Sequence, residues 1–373
     1  MNDQQLIYKQ IESKTIVWFS DTNEYIVVEP LVAEILSLLE QKAKRSEIIS
    51  GIVNKVKIPN EQAKSLVNDI QNLLNKKDKS TVEVNHLRGP YSFNVSKFYK
   101  INDLIFQVDY LSEYEVSLVH PKFAHLEIES QEKIDFHYKV YSNESVISFS
   151  INNEIIDIWD LGEVHFFQGK FSMKLVENIH QKNENEWLGV FHASAISNEK
   201  ESMLFLGDSG NGKSTSLALL QANGFTCLAD DFVPIDTKKQ EVYSFPSAIS
   251  IKKNSLETLL PIYPELENSA EYHFKKLNKI VRFLPPNNSD YTSHLPCKAL
   301  IFIKYKKDSD LIFKEISKIS AFEQLVPDSW LSPIKENAET FLNWFSKLPC
   351  YQLTYSNNQK MVETVSKIFN NDL

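Results

Sequence analysis

Glycine is scarce in this chain, with nine in 373 residues. Few places can therefore turn through positive φ at no steric cost, and any glycine cluster marks a demand for it. Cysteine is scarcer still. Cys227, Cys297 and Cys350 are odd in number and form no C-x-x-C pair. That spacing excludes a disulfide framework and a thiolate zinc site, and sets the expectation of a reducing cytoplasm. Long apolar runs are missing, and the opening Met1-Asn2-Asp3-Gln4-Gln5 is polar. Neither a membrane partner nor an export signal is expected. Positive charge is also in deficit. Forty Lys and Arg against 49 Asp and Glu leave a net charge of −9. A grip on nucleic acid needs a basic surface, so nucleic acid is not expected as a partner. His120, His125 and His137 fall without ligand spacing, and no metal site is assigned to them.

Three of the nine glycines sit in one stretch, Gly207-Asp208-Ser209-Gly210-Asn211-Gly212-Lys213-Ser214, with Thr215 behind it. It fits G-x-x-x-x-G-K-[ST], the phosphate-binding P-loop. The apolar run Ser202 to Leu206 before it is expected as a buried strand, and Thr215 to Gln221 after it as a helix. Successive backbone N–H groups would line an anion-sized concavity, and the helix N-terminus adds its positive dipole end. Lys213 would reach the outer phosphates of ATP, and Ser214 would offer its hydroxyl to Mg²⁺.

Asp230-Asp231 follows a second apolar run, Phe225 to Ala229, seventeen residues after Lys213. One helix and the turn at Asn223-Gly224 fill the interval. Two strands joined by a short helix would thus bring the loop and an acidic pair to one sheet edge, where ligands of α/β sheets bind. One carboxylate can hold Mg²⁺ beside Ser214, and the other can take the proton of an attacking hydroxyl.

Phe191-His192-Ala193-Ser194-Ala195, the loop, Gly224-Phe225 and Leu228-Ala229-Asp230-Asp231 together resemble the core of the HPr serine kinase/phosphorylase family. They are closer to HPr-kinase-related proteins that act on other substrates. The resemblance spans roughly residues 185 to 373. It implies phosphate contact by Lys213, metal binding by Ser214 and Asp230, proton acceptance from a substrate serine by Asp231, and His192 near the transferring group. It also implies an oligomer, since members often form hexamers. Two departures stand out. Thr215 replaces an acidic residue, and Phe245 to Ile251 lacks the family's glycine-containing Glu motif. HPr as acceptor, and the reverse phosphorolysis, are therefore not expected. A basic cluster, Lys275, Lys276, Lys279 and Arg282, stands where relatives place a phosphate-contacting residue; Lys279 and Arg282 are the candidates.

The expected fold is an α/β P-loop kinase core of the HPr-kinase type over 166–373. A small winged-helix-like α+β domain over 1–78 and a β-rich intermediate region over 81–165 precede it. In the front part, Thr15 to Phe19 and Tyr25 to Val28 read as a hairpin. Helices follow over Pro30–Gln41, Ser46–Val56 and from Pro59. Eleven basic and eleven acidic residues make 1–80 neutral, which disfavours DNA. The pattern resembles PqqD-like domains, which hold leader peptides of ribosomally made, modified peptides. Lys76 to Ser80 reads as a linker. In the intermediate region, Leu104–Val108, Val116–Val119, Phe136–Val140, Val146–Ile151 and Glu154–Trp159 read as strands, and Tyr91, Phe93, Phe98 and Tyr99 as core aromatics. Further on, Phe171–Gln181 reads as a helix, His192 as part of an apolar strand, and Ser320 as a helix cap. The expected activity is an ATP- and Mg²⁺-dependent serine kinase acting on a peptide or small protein. The alternative is an ATP-binding regulator or scaffold without transfer. An ABC ATPase is excluded by the missing L-S-G-G-Q signature, and a GTPase by Asn278-Lys279-Ile280-Val281, which lacks the Asp of N-K-x-D.

Overall fold

A computed structural model describes residues 5–74, 92–274 and 279–373, apart from the side chains of Phe274 and Lys279. The expected linker at 76–80, and with it Tyr91, Lys275 and Lys276, lies outside the described residues. The protein is mixed α/β with several sheets. It divides into two compact units. One takes in the described part of Met1–Val82 with Ile316–Leu348, the other the described part of Glu83–Glu315 with Pro349–Leu373.

In the first unit, a strand the sequence had not marked, Leu6–Ile11, pairs with the hairpin Lys14–Phe19 and Glu24–Val28. Helices Pro30–Glu40, Arg45–Val56 and Asn60–Leu74 follow. Pro30 sits in the first helical turn, where its missing N–H costs nothing. Val17, Phe19, Ile35, Leu36, Ile52 and Val67 are buried in one cluster. From the later segment, helices Lys318–Leu325 and Lys335–Lys347 bring Phe322 and Phe341 edge-on to Tyr25, with centroids 6.1 and 5.5 Å away. Ser317, not Ser320, caps the first of these helices. Its Oγ accepts from the Ile319 N–H.

In the second unit, a six-stranded sheet runs in the order Glu127–Ile128, Val95–Ile101, Leu104–Tyr110, Phe136–Ser142, Val146–Ile151, Glu154–Asp160. Leu104–Tyr110 and Phe136–Ser142 are parallel. A parallel pair needs a crossover, and a helix supplies it. That helix, Glu113–Phe123, contains Val116–Val119, which corrects the strand expected there. Its start is a capping box: Ser112 Oγ accepts from Tyr114 N–H, and the Glu115 carboxylate accepts from Ser112 N–H at 2.8 Å. Helix Val164–His180 buries Phe167 and Phe171 against Phe149.

The sheet that carries the loop is built around His294–Tyr305, a strand of 12 residues. On one side it runs parallel to Ser202–Leu206. On the other, its first part pairs with Glu241–Tyr243 and its second part with Cys350–Tyr355. Beyond Ser202–Leu206 come Ser194–Ser197 and then Thr226–Asp230. Met203, Phe205, Leu217, Ile301, Leu353 and Val365 form the buried core beneath. Among the described residues, no helix is long and apolar enough to cross a membrane.

Candidate functional site

Strand register assembles the site. Ser194–Ser197 lies between the other two strands and runs antiparallel to both. It pairs Ser194 with Phe205 on one side and with Asp230 on the other. Where this strand begins, its neighbours end. The loop leaving Leu206, Asp231 leaving Asp230, and the bend that precedes Ser194 therefore meet at one edge. The loop strand and the acid strand do share one sheet edge, but they are not neighbours; an antiparallel strand separates them.

That bend holds His192. It corrects the expected position on an apolar strand: His192 stands between Trp187–Phe191 and Ser194–Ser197. Its Nδ1 is 3.8 Å from Asp231 Oδ1, and both side chains are partly exposed. Asp231 adopts φ +65°, the left-handed region that a non-glycine residue occupies at a cost. The backbone beside it is held in place: the Asp230 carbonyl accepts from Ser247 Oγ at 3.0 Å.

The Asp230 side chain is buried. Its Oδ1 accepts from Ser194 Oγ at 2.6 Å and lies 3.3 Å from Ser214 Oγ, while Oδ2 accepts from Ser250 N–H at 3.1 Å. Burial and the neighbouring Asp231 push its pKa above the ordinary carboxylate range, against the pull of these donors. Ser214 and Asp230 offer hard oxygen donors side by side, the type that suits Mg²⁺. They make up a two-residue set, so a cation held there would take its remaining ligands from outside the protein. Among the described residues, no group of three or more His, Cys, Asp and Glu is arranged to hold a metal ion.

The loop has the turn the motif demands. Gly207 has φ +135° and Gly212 φ +95°. A Cβ on Gly207 would lie 2.8 Å from the Ile303 carbonyl oxygen, so the loop strand passes its neighbour as only glycine allows. Helix Lys213–Ala222 begins directly after Gly212. Lys213 is buried, and its ammonium donates to the Gly207 carbonyl at 2.5 Å. Thr215 exchanges a 2.8 Å hydrogen bond with Ser255.

One pocket gathers Asp208, Ser209, Gly210, Gly212, Lys213, Ser214, Thr215, His192 and Asp231. Ser250, Lys252, Asn254 and Ser255 also line it, and the sequence had not singled them out. Lys252 donates to Ser209 Oγ at 2.9 Å across the loop. In strand Ile249–Lys252 the residues alternate buried and half-buried, so Ser250 and Lys252 share a face. That period-two alternation was the available signal. Arg282 is not brought to the loop. It donates to the carbonyls of Leu266 and Glu267 and lies 3.3 Å from Glu271. Its neighbour Val281 lines the pocket instead. Lys279 lies in strand Lys279–Leu284, and its side chain is outside the described residues.

Fold and site thus define a mixed α/β protein in which a glycine loop with the P-loop motif lies beside two consecutive acids, Asp231 lining the pocket and Asp230 buried against Ser214. No family model matches the chain, and no curated protein matches it by sequence. Among solved structures, the Hpr(Ser) kinase/phosphatase from Coxiella burnetii matches with 8% identity and a TM-score of 0.22. The match covers 49% of this chain and 95% of that one.

Proposed function

We propose that this protein transfers the terminal phosphoryl group of a nucleoside triphosphate, ATP foremost, to a hydroxyl of a peptide or small protein. One observation carries the reading. A glycine cradle with a buried lysine opens onto two acids in different surroundings, one enclosed beside a hydroxyl and one half-exposed beside an imidazole. Two carboxylates set apart in this way suit two jobs. Asp230 with Ser214 would hold Mg²⁺, which would supply positive charge to offset that of the phosphates. Asp231 would accept the acceptor's proton. The acceptor oxygen forms a bond to the γ-phosphorus as the bridging P–O bond breaks, and the nucleoside diphosphate leaves with the electron pair. Lys213, Lys252 and His192, which line one pocket, would stabilise the charge that develops on the equatorial oxygens.

In this reading the acceptor is a ribosomally made precursor peptide, with its leader held by the front unit. Strand Glu24–Val28 pairs along one edge only among the described residues, which suits addition of an extended peptide strand. Tethering would raise the effective concentration of the acceptor.

Incubation with labelled ATP, Mg²⁺ and candidate peptides tests the proposal. Acceptor-dependent label that vanishes in Asp231→Asn while ATP still binds supports transfer. ATP binding with no label on any hydroxyl-bearing peptide points instead to a nucleotide-binding scaffold.

A further inference from the structure

The acids and an exposed tyrosine flank the loop on opposite sides. Across this part of the sheet the strands run Thr226–Asp230, Ser194–Ser197, Ser202–Leu206, His294–Tyr305, Cys350–Tyr355. Asp230 and Asp231 emerge at the first of these, the loop at the third and Tyr305 at the end of the fourth. Tyr305 is close to the loop. Its N–H donates to the Asn211 carbonyl at 2.9 Å, and a Cβ on Gly212 would lie 3.3 Å from its Cβ. The residue nevertheless stays 46% exposed. The ring is braced edge-on by Tyr355, with centroids 5.5 Å apart at 73°. Tyr355 is itself fixed by a 2.8 Å hydrogen bond to Ser216, in the helix that follows the loop.

Resting on the nucleotide reading above, we infer that Tyr305 is the platform on which the nucleobase stacks. Transfer requires the terminal phosphate to face Asp231. The phosphate chain is anchored by the loop, so the nucleoside end is directed to the opposite flank of Ser202–Leu206. There an aromatic face with one braced edge stands at the carboxyl end of a strand parallel to the loop strand, the side on which α/β sheets bind ligands. An aromatic ring of this size left open beside the loop gains by covering its face with a flat partner. Stacking accepts any base, because every base presents a π-face. Tyr305 therefore adds affinity for the nucleoside without choosing between adenine and guanine.

The test separates the nucleoside from the phosphates. The full chain, with Mg²⁺, is titrated with ATP, GTP and inorganic tripolyphosphate, in the wild type, Tyr305→Ala and Tyr305→Phe. Tyr305→Ala should weaken ATP and GTP by about tenfold and leave tripolyphosphate within about twofold, while Tyr305→Phe keeps both affinities. In Tyr305→Trp, indole fluorescence should respond to ATP and not to tripolyphosphate. Unchanged ATP affinity in Tyr305→Ala with normal tripolyphosphate binding overturns the platform and leaves the phosphate cradle standing. Equal weakening of both ligands also overturns it, by showing damage to the loop through Gly212. A wild-type chain that binds neither ligand defeats the nucleotide reading, and the platform with it.

Discussion

Ser194 Oγ and Ser214 Oγ converge on a single oxygen, Oδ1 of Asp230, at 2.6 and 3.3 Å. Ser194 comes from the strand between the loop strand and the acid strand, so the intervening strand itself orients the acid. Removing this donor leaves a buried carboxylate short of one charge-assisted hydrogen bond. Ser194→Ala should cost about 1–3 kcal/mol of stability, read by urea denaturation. It should also weaken Mg²⁺-dependent ATP binding while Mg²⁺-independent binding changes little. Equal loss in the presence and absence of Mg²⁺ would show that Ser194 is structural only.

The loop glycines are not equivalent. A methyl group on Gly207 meets the Ile303 carbonyl at 2.8 Å, whereas one on Gly210 meets nothing within 4 Å. Both have positive φ, +135° and +103°, so both alanine variants carry backbone strain. Only the first adds a collision with backbone that cannot move aside cheaply. Gly207→Ala should therefore lose more thermal stability and more ATP affinity than Gly210→Ala. Differential scanning calorimetry and nucleotide titration give the order directly, and a reversed order would contradict the close packing of the loop strand on Ile303.

What was legible in the sequence follows the range over which each interaction acts. Gly207 to Ser214 and Asp230-Asp231 could be singled out because their chemistry depends on residue type and short spacing, and His192 only through the family resemblance. Register was not legible. Nothing local in Ser194–Ser197 says that it separates two strands that a single helix connects. Val116-Ser117-Leu118-Val119 carries β-branched residues, and a short apolar run of that kind fits strand or helix alike. The capping pair Ser112 and Glu115 is the signal that decides for helix. Arg282 looked available for phosphate by its place in a basic cluster, yet nearby carbonyls engage it. Ile316–Leu348 joins the first unit across the intervening chain 83–315, a contact that no local pattern announces.

Lys252 reaches Ser209 from a strand whose Ser250 N–H also holds Asp230. One short strand thus ties the loop's tip to the buried acid. Replacing the lysine removes a cation from the phosphate site without opening the core, since its side chain is partly exposed. Lys252→Ala should lower phosphoryl transfer by about 10–100-fold at saturating ATP while unfolding as the wild type does, and Lys252→Arg should restore part of the rate. Steady-state transfer assays beside thermal melts check both. An unchanged rate in Lys252→Ala would remove Lys252 from the charge-stabilising set.

His180 makes a pH prediction away from the site. It packs edge-on to Tyr243 and Trp187, with centroids 4.8 and 5.7 Å away. Burial pushes its pKa down to about 4, helped by the positive charges of His294 and Lys182 and opposed by the Ser244 carbonyl and Asp290. The folded value lies below the unfolded value of about 6.5, so the fold favours the neutral ring. Its contribution is whole above about pH 6.5 and is lost as pH falls from there toward about 4. A shift of that size corresponds to roughly 3 kcal/mol across the window. His180→Phe has no proton to bind. Between pH 7 and 4 its unfolding free energy should therefore fall by less than that of the wild type, whatever other acid-labile groups contribute to both. Parallel pH-dependent denaturation curves would mean that His180 is protonated as readily in the folded chain as in the unfolded one.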